Sequence, residues 1–382
     1  MRKKPIYLDY NATTPHDPEV IAAMQPYLGE YFGNPSSSHW YGIQAKEAVE
    51  NARNQVALLL GAQPNEVVFT SGGTESNNYA IKGAAFANRD KGNHIIASSI
   101  EHPAVTEVCK FLEEHNFRVS YLPVDEYGSV KVSDIEKAIT PQTILITIMH
   151  ANNEVGTIQP IEQISKLARD HKIVFHTDAA QSVGKIPADV NSLGIDLLSI
   201  AGHKLYAPKG IGALYIRNGV NLNKFMHGAG HEQGRRAGTE NVLEIVGLGK
   251  ACEIAKRDMN RNMACMKGMR DRLHDGLKDQ LKGMRVNGHP ENRLPNTLSI
   301  SFKDMDVNAL LDEIKDSVAA SAGAACHAGG VKISHVLKAM NVPPEWAGGT
   351  VRFSTGRMTT KNDIDDVVRV ISSIISKMPK RG

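Results

Sequence analysis

The stretch TILITIMHANNEVGTIQPIEQISKLARDHKIVFHTDAAQ, residues 143–181, decides the fold. A β-branched apolar run, Thr143–Met149, gives way to the polar cluster His150-Ala151-Asn152-Asn153-Glu154. A helix-like segment, Ile161–His171, follows, and a second apolar run, Ile173–His176, leads into Thr177 and Asp178. Strand, helix and strand in this order, with a connection long enough for a crossover, form a βαβ unit whose strands are parallel and covered by helices.

The same alternation extends in both directions. Strands are expected at Glu66–Thr70, His94–Ser98, Phe117–Leu122, Leu197–Ile200 and Ile211–Ile216, with helices at Glu75–Phe86 and Pro103–His115. That pattern predicts an α/β fold with a mostly parallel seven-stranded sheet. Ala201–Gly210 is too short for a parallel crossover, so Ile211–Ile216 is expected antiparallel to its predecessor. Ile43–Leu60 reads as an amphipathic helix stopped by Gly61, and Asn241–Leu281 as a long helix bridging to a second, smaller α/β unit. That unit has strands near Thr297–Phe302 and Val351–Ser354 and helices near Val307–Lys315, Ile333–Met340 and Asn362–Lys377.

Composition narrows the function. The 382 residues carry 44 Lys plus Arg against 41 Asp plus Glu, a net charge of +3 that argues against nucleic-acid binding. No apolar run is long enough to span a membrane, and Met1–Pro5 is basic without a following apolar segment, so no signal peptide is expected. The cysteines Cys109, Cys252, Cys265 and Cys326 are too scattered for a disulfide framework, which points to a reducing, cytoplasmic compartment. His227 with His231, and Cys326 with His327 and His335, lack the spacing of a zinc site, so no metal is expected.

Chemistry collects where strands end, the place where open α/β sheets bind ligands. The ends carry Ser71-Gly72-Gly73-Thr74, Glu101-His102, His150–Glu154, Thr177–Gln181 and Gly202-His203-Lys204. Ser71–Thr74 opens a helix, where free N–H groups and the helix dipole favour a phosphate; taken alone it reads as well as a plain tight turn. Asp178 at the end of an apolar strand needs a partner: a structural ion pair, or the protonated nitrogen of a pyridoxal ring. Lys204 supplies the matching amine for a Schiff base, although a lone lysine is ordinarily a surface charge. His102 is suited to stacking on a flat ring and moving protons, or to capping the helix that starts at Pro103. Cys326 sits among small residues and paired glycines, Ala324-Ala325-Cys326-His327-Ala328-Gly329-Gly330, a setting expected to be an exposed, mobile loop bearing a nucleophilic thiol.

Taken together, these motifs resemble the pyridoxal-phosphate cysteine desulfurases of the NifS/IscS type and the related selenocysteine lyases. The resemblance runs nearly end to end: Tyr7–Thr14, Gly33–Ser37, Thr70–Asn78, His150–Glu154, His176–Gln181, Gly202–Lys204, Arg236–Asn241, the Cys326 segment and Val351–Arg357. It implies a fold-type I enzyme with a large domain over residues 16–258 and a small domain from residues 1–15 and 259–382. It implies that Lys204 carries the cofactor, Asp178 pairs with the ring nitrogen, Gln181 bonds the ring hydroxyl and His102 stacks. Gly73, Thr74 and His203 would hold the phosphate, joined by Thr239 from a second subunit of a homodimer. Asn153 and Arg352 would bind the substrate, and Cys326 would take its sulfur as a persulfide. The position two residues before His203, where many relatives have a phosphate-binding serine, is Ala201, leaving backbone groups there to contribute. The activity implied is conversion of L-cysteine to L-alanine, with sulfur passed to an acceptor such as an iron–sulfur scaffold protein. L-selenocysteine is the alternative substrate, because Gly323–His327 looks more like the selenocysteine lyases. An ordinary aminotransferase or a silent assembly partner fits less well, having no use for the full set of Lys204, Asp178 and Cys326.

Overall fold

A computed structural model describes residues 4–322 and 333–378. Twelve strands are present among them: β1 Ile6–Tyr7, β2 Val67–Thr70, β3 His94–Ser98, β4 Arg118–Leu122, β5 Thr143–Thr147 and β6 Val174–Asp178. After them come β7 Leu197–Ala201, β8 Gly212–Ile216, β9 Met284–Asn287, β10 Thr297–Phe302, β11 Val318–Ala319 and β12 Thr350–Ser354. The large sheet has seven strands in the order β2-β8-β7-β6-β5-β3-β4. β8 runs antiparallel to both neighbours, as its short connection requires, while the other pairings are parallel. Six strands therefore deliver their carboxyl ends to one edge. The strand order reverses between β3 and β5, the switch point where such sheets open a crevice.

β3, β5 and β7 are buried throughout, which is why their sequences are apolar runs instead of alternations. The polar residues inside this sheet satisfy one another. His176 joins Thr147 (2.8 Å) and Ser199 (3.0 Å) across three strands. Burial pushes its pKa down to about 3, so the imidazole is neutral and bridges as one donor and one acceptor.

The Trp40–Leu60 helix buries Ala45, Val49, Ala52, Val56 and Leu60 and ends at Gly61, whose φ of 69° suits a left-handed cap. It packs against the 39-residue helix Val242–Gln280, capped by Asn241. That long helix links two cores. Its first half contributes Ile245, Leu248 and Ile254 to the core under the large sheet. Its second half contributes Met269, Leu273 and Leu277 to the core of a three-stranded antiparallel sheet, β12-β10-β9. The second core also takes in Leu8, because β1 pairs with β11. Between them the chain at residues 10–14 crosses from one unit to the other: Tyr10 donates to Ser354 and Thr14 to His203. Among the described residues, no helix is long and apolar enough to cross a membrane.

Candidate active site

A cavity of about 800 Å³ opens at the carboxyl edge of the large sheet, against β12 of the small one. Ten of the residues singled out by sequence line it: Gly73, Thr74, His102, Asn153, Asp178, Gln181, Ala201, His203, Lys204 and Arg352. Thr239 is exposed and does not line the cavity of its own chain. Cys326 and His327 lie outside the described residues.

One wall is an anion cradle. The Gly73–Ala87 helix begins directly after β2, and its cap, Gly72, offers no side-chain acceptor to the first-turn amides. Gly72 has φ 148°, a backbone that glycine tolerates. A Cβ on Gly73 would come 3.1 Å from Cβ of Ala201, so the two walls meet at backbone distance. His203 approaches from the side, bonded through Nδ1 to the Thr13 hydroxyl (3.2 Å). Burial, then Lys204 and Lys209, holds its pKa down to about 4. Unpartnered amides and a helix N-terminus suit a phosphate group.

The floor holds the charged pair anticipated from β6 and β7. Asp178, at the last residue of β6, is buried and accepts from Asn77 Nδ2 (2.7 Å) and from the Ala180 amide (2.9 Å). Asn77 lies one turn into the cradle helix, so that helix both presents amides and fixes the carboxylate. Lys204 donates to the carbonyls of Asn11 and Ala12, the latter at 2.8 Å. Burial and then Arg352 lower its pKa to about 8, against the pull of Asp178 and Asp9. An amine so tuned exchanges protons near neutrality.

His102 caps the Pro103–Glu113 helix by accepting the Ala104 amide at Nδ1 (3.1 Å), leaving the Nε2 tautomer. Its side chain lines the cavity and is exposed. Burial outweighs the attraction of Asp178 and lowers its pKa, so a flat neutral imidazole faces the cavity. The capping role expected of His102 is present, and the same residue lines the cavity.

Arg352 is buried on β12, with Nη2 on Asp9 (2.7 Å) and Nη1 on the Asn153 carbonyl (3.0 Å). Its Nε has no hydrogen-bond partner among the described residues. Asn153 itself is held from the N-terminal segment by Asn11 Nδ2 (3.2 Å).

Sequence reasoning gave no role to several residues that build this site. Asn11 is the chief one: its carbonyl takes Lys204 and Gln181, its side-chain oxygen takes Lys185 and Asn296, and its amide holds Asn153 and Thr297. Glu101, next to His102, is fully buried and accepts from Ser98 (2.6 Å) and the Met149 amide (2.9 Å), and burial pushes its pKa up to about 8. Glu154, raised by burial, takes a hydrogen bond from Ser334 (2.5 Å), the residue that caps the His335–Ala339 helix. The signal for Asn77 was readable, since it stands four residues after Gly73 on the same helical face.

The donor set fits pyridoxal phosphate on observations of this chain alone: uncapped amides for the phosphate, a buried carboxylate opposite, an amine of lowered pKa and a flat neutral ring. Comparison with known proteins agrees. A model of the class-V aminotransferases matches residues 6–367. The chain is 48% identical over 377 residues to the cysteine desulfurase IscS of Dictyoglomus turgidum, covering 98% of this chain and 96% of that protein. Among solved structures, a NifS-like protein superposes with a TM-score of 0.92 at 38% identity, covering 98% of this chain and 100% of that one. A chain described as SspA in complex with cysteine gives a TM-score of 0.82 at 39% identity, covering 94% and 100%.

Proposed function

The chain belongs to the class-V aminotransferase family of pyridoxal-phosphate enzymes, and from that premise we propose that it is a cysteine desulfurase. The observation that carries the reading is the meeting of Lys204, Asp178 and Arg352 on one cavity beside an uncapped helix N-terminus. When bound, pyridoxal phosphate supplies an aldehyde for amine capture and a ring that draws electrons from the substrate carbon. The amides at Gly73 and Thr74, with His203, hold its phosphate. Asp178, held by Asn77 and the Ala180 amide, would pair with the ring nitrogen. His102 covers the ring face, and Gln181 addresses the ring hydroxyl. Arg352 and Asn153 receive the amino-acid carboxylate, and Lys204 moves protons at the substrate carbon.

Cys326 is the sulfur acceptor in this reading. As its sulfur bonds to the substrate sulfur, the carbon–sulfur bond breaks. Its electron pair stays on carbon, which takes up a proton to become the methyl group of alanine, and sulfur remains as a persulfide for an acceptor protein such as an iron–sulfur scaffold. Among the described cysteines, Cys109 and Cys252 are buried with their pKa values raised by burial, Cys109 to about 12, which makes them poor nucleophiles. Free thiols suit a reducing compartment, and we place the enzyme in the cytoplasm. Residues 16–258 would act as the large domain and 1–15 with 259–382 as the small one, although Val336, Leu337, Met340, Val342 and Ala347 pack into the core under the large sheet. A homodimer would bring Thr239 of one subunit to the phosphate of the other. The segment bearing Thr239 is anchored to the cradle helix by Arg236 on Glu75 (2.9 Å).

The test is alanine formation with release of sulfide from cysteine, or selenide from selenocysteine, for the purified protein and its Lys204→Ala variant. Alanine and sulfide from cysteine, lost in the variant, are expected. Strong selenocysteine turnover beside negligible cysteine turnover would reassign the enzyme as a selenocysteine lyase.

A further inference from the structure

Lys185 is only 3% exposed, and among the described residues no carboxylate is a hydrogen-bond partner of it. Its Nζ donates to Gln181 Oε1 (2.8 Å) and to Asn11 Oδ1 (3.1 Å). A buried amine bonded only to neutral amide oxygens is costly to maintain, so its presence calls for a reason beyond packing. Burial, and then Lys204 and Arg352, lowers its pKa well below the ordinary lysine value.

The reason lies in what Lys185 does to Gln181. A glutamine amide has one accepting oxygen and two donating hydrogens. Here Lys185 occupies the oxygen, and the Asn11 carbonyl takes one hydrogen from Nε2 (2.9 Å). That leaves one N–H of Gln181 to offer to the cavity it lines, while the oxygen is turned toward Lys185. Rotating the amide by half a turn would break the bond from Lys185 and set the amide oxygen against the Asn11 carbonyl, so the observed orientation is the favoured one.

We propose that Lys185 is a positioning residue that orients Gln181 as a donor toward the cofactor's ring oxygen. The inference rests on the reading that places Gln181 beside that oxygen. A fixed donor stabilises the ring oxygen in its unprotonated form, the form that gives the bound cofactor its visible colour. The i, i+4 spacing of Gln181 and Lys185 is a turn of chain after β6, so the strand that sets Asp178 also sets this pair.

The experiment reads absorbance of the bound cofactor, not turnover. Lys185→Met, Gln181→Ala and the double variant are prepared as holoenzymes, with melting temperature recorded for each. Lys185→Met keeps chain length and apolar volume while freeing the Gln181 oxygen. The visible band should lose intensity to the near-ultraviolet band, a change in their ratio of about fivefold for one net hydrogen bond. Gln181→Ala should move the ratio the same way, and Lys185→Met should add nothing on top of it, because it acts through Gln181. If Gln181→Ala leaves the ratio unchanged, the placement of Gln181 is wrong. If Gln181→Ala shifts it while Lys185→Met changes only the melting temperature, or shifts it equally in both backgrounds, Lys185 is not positioning Gln181.

Discussion

Ala201→Ser restores a hydroxyl that this chain lacks at the anion cradle. Ala201 ends β7, is 4% exposed and lines the cavity, with its methyl group against the start of the Gly73–Ala87 helix. A hydroxyl on that carbon points, in one of its three staggered positions, toward the space in front of the helix amides. In cofactor-free protein the added group would be hydrated, so its desolvation is offset when it meets the phosphate. One hydrogen bond to a charged oxygen contributes about 1.5–3 kcal/mol, less a few tenths for fixing the hydroxyl. Affinity for pyridoxal phosphate should rise by roughly 10- to 150-fold. The measurement is best made by titrating cofactor into Lys204→Ala protein with and without Ala201→Ser, so that covalent capture does not mask non-covalent affinity. In the presence of cofactor the melting temperature should rise in parallel, since ligand that binds only the folded state stabilises it. An affinity within twofold of the parent would refute the placement of Ala201 beside the phosphate, and a loss would mean that the gap to Gly73 is too tight for an oxygen.

Glu101→Gln removes a buried carboxyl whose pKa is raised from 4.5 to about 8. The folded state keeps the proton that the unfolded chain releases, so wild-type stability falls as pH rises from about 4.5 to 8, by at most about 5 kcal/mol; melting curves for the variant should lose that component of slope, and parallel curves would contradict the assigned burial effect. Arg352→Lys keeps a charge but loses the fork that spans Asp9 and Asn153, so KM for cysteine should rise by roughly 10- to 100-fold with a smaller change in kcat; an unchanged KM would place the carboxylate elsewhere. Cys326→Ala should still change the cofactor spectrum on adding cysteine yet yield no sulfide; normal sulfide release would move the nucleophile to another thiol.

The legible parts of this molecule are those whose cause is local. Thr143–Thr147 announces itself as a continuous apolar run because both faces are covered, and Thr297–Phe302 as an alternation that sends Leu298, Ile300 and Phe302 into one core. The antiparallel β8 follows from chain length alone, and Asp178 and Lys204 stand out because ionisable groups seldom end buried strands. The missed elements depend on distant partners. β1 and β11 are two residues each and exist only because Ile6 meets Val318. β9, Met284–Asn287, is a sheet edge with a half-buried pattern that carries no apolar run. The short helices Pro18–Met24 and Val132–Ala138 lack the length for periodicity to show. At the site, the Arg352–Asp9 contact closes 343 residues of chain, and Asn11 reaches Asn296 across 285. No spacing rule encodes such pairs. Lys185 reads as a surface charge until the turn after β6 is seen to fold it inward.

These long-range contacts also tie the substrate site to the base. Asp9 already bonds the Arg352 fork, so an incoming carboxylate shares that guanidinium instead of meeting a free one. Arg352 is, after burial, the largest influence holding the Lys204 pKa down to about 8. A carboxylate docked on Arg352 offsets that positive field, and the proton affinity of Lys204, whenever its amine is free, rises. In the proposed reading, a substrate carboxylate on Arg352 would therefore strengthen Lys204 as a base when a proton has to leave the substrate. Lys204 and Arg352 come from opposite units of the fold, one at the end of β7 and the other on β12, and the N-terminal segment that carries Asp9 and Asn11 touches both. The coupling follows from that segment: its carbonyls seat the lysine while its carboxylate seats the arginine.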